Sequence, residues 1–265
     1  MSALLFEKNG PLVTLTINRP ETRNPLGEEG DGELFSEACA RINGDRDVRC
    51  VILTGAGSAF SAGGNVKAMR ERSGSFAGAG VHIRERYRNG IHRIVRSLWG
   101  VEVPMIAAVN GPAIGLGNDV ACLADMRIAA DNAIFGATFL RIGLVPGDGG
   151  SWILPRTIGH ARAAELFFTG DTIDAQTALS WGLVSRVVPA AQLIDDARAL
   201  AARICRQPPD VLRMTKRMMR EGQSVSFDTI MEMSASMQAL AHLTEDHHEA
   251  VAAFFEKRPG DFKGR

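Results

Sequence analysis

The stretch Pro104-Met105-Ile106-Ala107-Ala108-Val109-Asn110-Gly111-Pro112-Ala113-Ile114-Gly115-Leu116-Gly117-Asn118-Asp119 decides how the chain is read. Met105 to Val109 is a short apolar run started by a proline, the pattern of a strand covered on both faces. Asn110-Gly111-Pro112 turns the chain. Gly115-Leu116-Gly117 then leads into a helix through Val120 to Leu123. A buried strand, a glycine-bearing loop and a helix, in that order, are the repeating unit of an α/β protein with parallel strands.

Upstream the same order recurs. Leu12 to Ile17 alternates apolar residues with threonine, which suits a strand with one covered face. Asn18-Arg19-Pro20 ends it, and Pro25 and Gly27 keep the next stretch irregular. Glu33 to Asn43 has helical spacing. Cys50 to Leu53 is a second buried strand. Thr54 to Asn65 is rich in Gly, Ala and Ser, a loop whose backbone can approach a ligand closely. Ser73 to Gly80 is irregular, and a helix is expected after it with Tyr87, Ile91, Ile94, Val95 and Leu98 on one face.

Downstream, Met126 to Ala129 and Val184 to Val188 read as strands. Ile142 to Gly150 is a second glycine-rich loop, ahead of a helical stretch around Trp152 to Thr157. Asp174 has the character of an N-cap for a helix that closes at Gly182. From about Gln192 the pattern is only helical, broken at Pro208-Pro209 and Gly222. Residues 1–190 are expected to form the α/β core and 191–265 a C-terminal helical region. Met214, Met218, Met219, Met231, Met233 and Met237 recur in that tail, as core or as a subunit contact.

Composition narrows the function. The chain has 265 residues, is 45% hydrophobic and 23% charged, and balances 30 basic against 30 acidic side chains. Zero net charge argues against a nucleic-acid footprint. Cys39, Cys50, Cys122 and Cys205 are far apart, so free thiols in a reducing compartment are expected rather than a disulfide framework or a metal site. No apolar run approaches the ~20 residues of a membrane span, and no secretory pattern opens the sequence. A soluble, cytoplasmic protein with no membrane partner is the expectation.

Two loops have the makings of a site. Phe60-Ser61-Ala62-Gly63-Gly64-Asn65 and Gly111 to Asp119 each follow a buried strand and can expose backbone N–H groups, the second at a helix start. Two convergent N–H donors stabilise a thioester oxygen as it becomes an enolate or a tetrahedral oxyanion. The same glycines also serve in tight turns that bind nothing. Neither loop is a dinucleotide or phosphate-loop fingerprint, and no serine sits in a Gly-x-Ser-x-Gly elbow.

Several motifs in order resemble the crotonase (enoyl-CoA hydratase/isomerase) superfamily, over nearly the whole chain. They are Asn18-Arg19-Pro20-Glu21 with Asn24-Pro25-Leu26, Val51-Ile52-Leu53-Thr54-Gly55 running into Phe60 to Lys67, and Pro104 to Asp119. Gly143-Leu144-Val145-Pro146-Gly147-Asp148-Gly149-Gly150 follows, then Leu154-Pro155-Arg156, Trp181-Gly182-Leu183-Val184 and Phe254-Phe255-Glu256-Lys257-Arg258. The resemblance implies a spiral of β-β-α units, a C-terminal helical region used to build a homotrimer or hexamer, and an acyl-coenzyme A thioester as substrate. Coenzyme A enters as part of that substrate, with no permanently bound cofactor and no metal. By motif position the oxyanion hole is the backbone N–H of Gly64 and of Leu116. Leu116 stands where glycine is commoner, which a backbone donor tolerates unless its φ must be positive. Ala62, Gly63 and Lys67 take places near the coenzyme A.

The acid and base depart from the family pattern. Relatives that hydrate enoyl-CoA carry two glutamates. The first corresponds to Asp119, one methylene shorter. The second corresponds to Phe139, which transfers no proton and is expected as pocket wall. Asp148 is the candidate replacement, with helix N-capping as its alternative. An Asp at this place in 4-chlorobenzoyl-CoA dehalogenases is a nucleophile. Those enzymes activate water with a histidine in a segment similar to Gly90-Ile91-His92-Arg93-Ile94-Val95, which makes His92 a candidate base, or else a core histidine beside Val95 and Trp99. Three functions remain: a hydratase or isomerase using Asp119, Asp148 or both; an aryl- or acyl-CoA dehalogenase or hydrolase using Asp148 and His92; and a non-catalytic binder of CoA esters.

Overall fold

The two uninterrupted apolar runs lie at the centre of the fold. In the computed structural model, which describes residues 2–265, β3 (Cys50–Gly55) and β4 (Met105–Val109) are buried at every residue. Strands covered on both faces need no polar alternation. Around them lie β1 (Leu4–Asn9), β2 (Leu12–Ile17), β6 (Met126–Ala130) and β9 (Arg186–Val188), in the order β1-β2-β3-β4-β6-β9. Only the β1–β2 hairpin is antiparallel; every other pair in this sheet is parallel. A smaller sheet has the order β5 (Ala113–Ile114), β7 (Ile134–Gly136), β8 (Thr172–Asp174).

Alternate residues of the central strands enter two separate cores. Val51, Leu53, Met105, Ala107 and Val109 face α1 (Asp31–Gly44), α4 (Ile91–Trp99) and α5 (Leu116–Leu123). Cys50, Ile52, Ile106 and Ala108 face α9 (Leu193–Cys205), through Leu193, Ala197 and Ala201. The first α-helix of the C-terminal helical region thus covers the back of the sheet. Between these elements run α2 (Val66–Glu71), α3 (Gly80–Asn89), α6 (Gly150–Ile158), α7 (His160–Thr169) and α8 (Ala175–Ser180). Asp174 caps α8, accepting the Thr177 N–H at 2.7 Å.

The apolar face expected on one helix from Tyr87 to Leu98 is carried by two. Gly90 leaves helical geometry (φ −100°, ψ −89°) and separates α3 from α4. Glycine is a poor helix former, and α1 presses on the break: a Cβ on Gly32 would lie 2.6 Å from the Asn89 carbonyl. The bend lets Tyr87 and Ile91 line a single cavity.

After α9 come α10 (Pro209–Glu221), α11 (Phe227–His242) and α12 (Glu245–Glu256). α10 is tied to the core by Lys216, whose ammonium meets Asp125 at 2.7 Å and the Val103 carbonyl at 2.7 Å. α11 buries no residue. Phe227, Met231, Leu240, Leu243, Phe254 and Phe255 on and around the last two helices are exposed. Among the described residues no helix is long and apolar enough to cross a membrane, and the four cysteines are unpaired.

Candidate active site

The two glycine loops are stitched together where their strands end. Ser61 and Ala113 form a parallel bridge, with Ile114 N–H donating to Ser61 O at 3.0 Å and Ser61 N–H to Pro112 O at 3.1 Å. The approach is close enough to require glycine. A Cβ on Gly117 would sit 2.3 Å from Ser61 O, and one on Gly63 would sit 2.5 Å from Ile114 O.

This contact brings the expected oxyanion pair to one place. Gly64 and Leu116 line the same cavity. Among the described residues, neither backbone N–H donates to any acceptor. Leu116 opens α5, so the positive end of that helix adds to its donor. The left-handed backbone the turn needs falls on Gly115 (φ +55°), one residue earlier, and Leu116 has no positive φ. A leucine is therefore accommodated there.

The cavity encloses about 460 Å³ out to its open mouth. Ile91, Ile114, Phe139, Ile142 and Leu144 give it apolar walls, and Ala62 and Gly63 lie at the oxyanion end. Asp148 is the one carboxylate in the lining. It is 2% exposed, and its Oδ1 has no hydrogen-bond partner among the described residues. It is not a cap: Gly149 occupies the N-cap position of α6, with no side-chain cap bond. Burial pushes its carboxyl up to about 6, against the opposing pull of the Tyr87 hydroxyl and of His92. Tyr87 also lines the cavity, and burial, then the Asp148 charge, push its phenol above the usual range. Its role is legible in hindsight: a tyrosine on a core-facing stripe needs a partner for its hydroxyl.

Three of the expected site residues lie outside this lining. Asp119 is behind it, 1% exposed. It accepts the Gly150 N–H at 3.1 Å, and a Cβ on Gly150 would sit 2.3 Å from its Oδ1. Burial and, next, the charge of Asp148 push its carboxyl up to about 8. His92 turns its Nε2 to the Gly147 carbonyl at 2.8 Å and packs edge-on against the Tyr87 ring. A carbonyl only accepts, so Nε2 carries the proton and donates it there. Lys67 is exposed on α2.

The sequence profile of the family "Enoyl-CoA hydratase/isomerase" matches residues 7–265. The chain belongs to that family. It is 35% identical over 266 residues to the 1,2-epoxyphenylacetyl-CoA isomerase of Escherichia coli, with all of both chains covered. It is 35% identical over 260 residues to the crotonyl-CoA hydratase of Syntrophomonas wolfei, covering 98% of this chain and 97% of the relative. Among solved structures, an enoyl-CoA hydratase from Bacillus anthracis superposes with a TM-score of 0.93 at 32% identity, with both chains fully covered. The α/β spiral expected from the motifs is the fold of this family member, and the chain is an acyl-CoA thioester enzyme of the hydratase/isomerase type.

Phe139 is a buried wall of the cavity, and Asp119 is turned to the backbone of α6. The cavity lining thus holds two free backbone N–H donors and one buried carboxyl.

Proposed function

We propose that this enzyme moves a carbon–carbon double bond within an acyl-CoA thioester, with Asp148 as the single proton carrier. The observation that carries the reading is one carboxylate in the cavity lining, with the Phe139 ring where a second would stand. Isomerisation needs one group that takes a proton from one carbon and returns it to another. Two-carboxylate hydration needs a second to hold and activate water.

The thioester oxygen accepts from the N–H of Gly64 and of Leu116. Asp148, as carboxylate, removes a proton from the α carbon of a 3-enoyl group. The C–H electron pair forms a double bond to the thioester carbon, and the carbonyl pair moves onto the oxygen to give a dienolate, where the two donors stabilise the charge. Asp148, now the acid, returns the proton to the γ carbon as the carbonyl re-forms, which leaves the double bond between the α and β carbons. Atoms balance with no water consumed. A carboxyl near 6 suits both halves, being neither too weak a base nor too weak an acid at neutral pH.

His92 and Asp119 act through the loop in this reading. His92 holds Gly147 and Asp119 holds Gly150, on either side of Asp148. The nucleophilic alternative keeps Asp148, but Nε2 of His92 is committed to the Gly147 carbonyl, so only Nδ1 is left to activate a water. Ala62 and Gly63 lie where the coenzyme A would enter, with Lys67 outside to meet a phosphate and no resident cofactor required. The exposed apolar faces of α11 and α12 support a homotrimer or a dimer of trimers, and the four free thiols support a cytoplasmic location.

The test follows a 3-enoyl-CoA and crotonyl-CoA by mass spectrometry and ultraviolet absorption. Conversion of the 3-enoyl to the 2-enoyl ester at constant mass, lost in Asp148→Asn, is the expected result. Hydration of crotonyl-CoA that survives in Asp148→Asn would overturn the proposal.

A further inference from the structure

Beyond the cavity wall lies a second hollow that the reaction does not use. It encloses about 1030 Å³ out to open solvent and is lined by Arg84, Tyr87, Arg88, His92, Arg96, Leu144, Val145 and Gly147. Tyr87 and Leu144 line both spaces, and Gly147 precedes Asp148 in sequence. The hollow therefore adjoins the cavity at Tyr87 and Leu144, and Ala62 and Gly63 do not line it.

Its charge is one-sided. Three arginines and a histidine line it, and no carboxylate does. Arg84 and Arg88 share a single acid, Glu85, at 3.0 and 3.6 Å. The Arg96 guanidinium has no acidic partner among the described residues. Arg88 and Arg96 also line the adjoining hollow with Asn89, Arg93 and Ser97, so their forks are shared between two open spaces. The facing wall is apolar: Leu144 is 38% and Val145 76% exposed. A local cationic excess in a chain of zero net charge, opposite an apolar wall, matches an apolar chain that ends in an anion.

We infer that this arginine-lined bay receives the far end of the acyl group, and that the enzyme prefers acyl-CoA esters whose chain ends in a carboxylate. The inference rests on the acyl-CoA reading above and names its substrate class. The chain passes between Tyr87 and Leu144, leaving its α to γ carbons at Asp148, and the terminal carboxylate pairs with Arg88 and Arg96. Both arginines are exposed, so each pair is weak alone, and their joint effect is roughly tenfold.

The experiment measures binding, which needs no turnover. Dissociation constants for adipyl-CoA and hexanoyl-CoA, equal in chain length and different in the terminal group, are compared by calorimetry for the wild type and for the Arg88→Gln/Arg96→Gln double variant. The expected result is roughly tenfold tighter binding of adipyl-CoA, shrinking with added salt and lost in the variant, while hexanoyl-CoA binds both proteins alike. Equal affinity of the wild type for both esters overturns the inference and leaves the acyl-CoA reading standing. A preference for adipyl-CoA that survives in the variant also overturns it, as does an equal loss for both esters, which would place the arginines on coenzyme A phosphates instead. Binding of neither ester overturns the inference together with the reading beneath it.

Discussion

Two buried aspartates, one at the start of α5 and one in the loop before α6, have nearly the same burial and different surroundings. Asp119 is 1% exposed and Asp148 2%. Burial raises both carboxyls, to about 8 and about 6. The difference lies in where their oxygens point. Asp119 faces protein: Gly150 N–H at 3.1 Å and the Asn118 amide at 3.4 Å. The Asn118 Oδ1 on the other side of that amide has no partner among the described residues. Asp148 faces a cavity with one oxygen unused. Unspent hydrogen-bonding capacity beside a space for substrate, rather than a perturbed pKa alone, separates a reacting acid from a structural one.

The sharpest way to break this contrast is to neutralise each acid in turn. Asp148→Asn should lower turnover by about 10²–10⁴-fold, the range for a lost general acid–base, with the dissociation constant for a CoA ester nearly unchanged. Asp119→Asn should cost less than about tenfold, because an amide oxygen still accepts the Gly150 N–H. Steady-state kinetics beside calorimetric binding separates the two, and equal losses would erase the distinction.

Gly150→Ala links the two sites. Its Cβ would run into the Asp119 carboxylate at 2.3 Å, so the loop carrying Asp148 must shift. Overpacking of this kind costs about 1–3 kcal/mol, measurable by chemical denaturation, and turnover should fall with it.

The two acids should also title different properties against pH. The rate, expressed as kcat/KM, should rise with pH through about 6 as Asp148 becomes a base, then level off. Stability should respond to Asp119. Its native carboxyl lies above the ordinary 3.8, so the native state binds the extra proton between about 4 and about 8. Its contribution is full below that window and is lost as pH rises through about 8. Asp148 contributes with the same sign only up to about 6. Melting curves from pH 6 to 8 should therefore fall less steeply for Asp119→Asn than for wild type. The smallest effect is expected at His92→Gln: a few-fold loss of turnover from a looser Gly147, with the rate profile still inflecting near 6. A displaced inflection would give His92 a direct part in the proton transfer.

Much of this protein was fixed by local pattern. The apolar runs at 50–53 and 105–109 identify the central parallel strands, because a strand buried on both faces has no other composition open to it. The glycines at 63 and 117 mark where two backbones meet, and the order of motifs identifies the family. The resemblance also singled out Gly64 and Leu116, whose backbone N–H groups are free and which line one cavity. Tertiary structure alone decided which of Asp119, Asp148 and His92 reaches the cavity. Each follows or precedes a glycine near a helix end, and local spacing leaves their direction open. Their orientation is set by what packs from far along the chain: Gly150 against Asp119, Gly147 against His92, and Tyr87, brought round by the break at Gly90, beside Asp148. Contacts between residues so distant in sequence have no local signature, because the cost of closing those loops is met by the whole core.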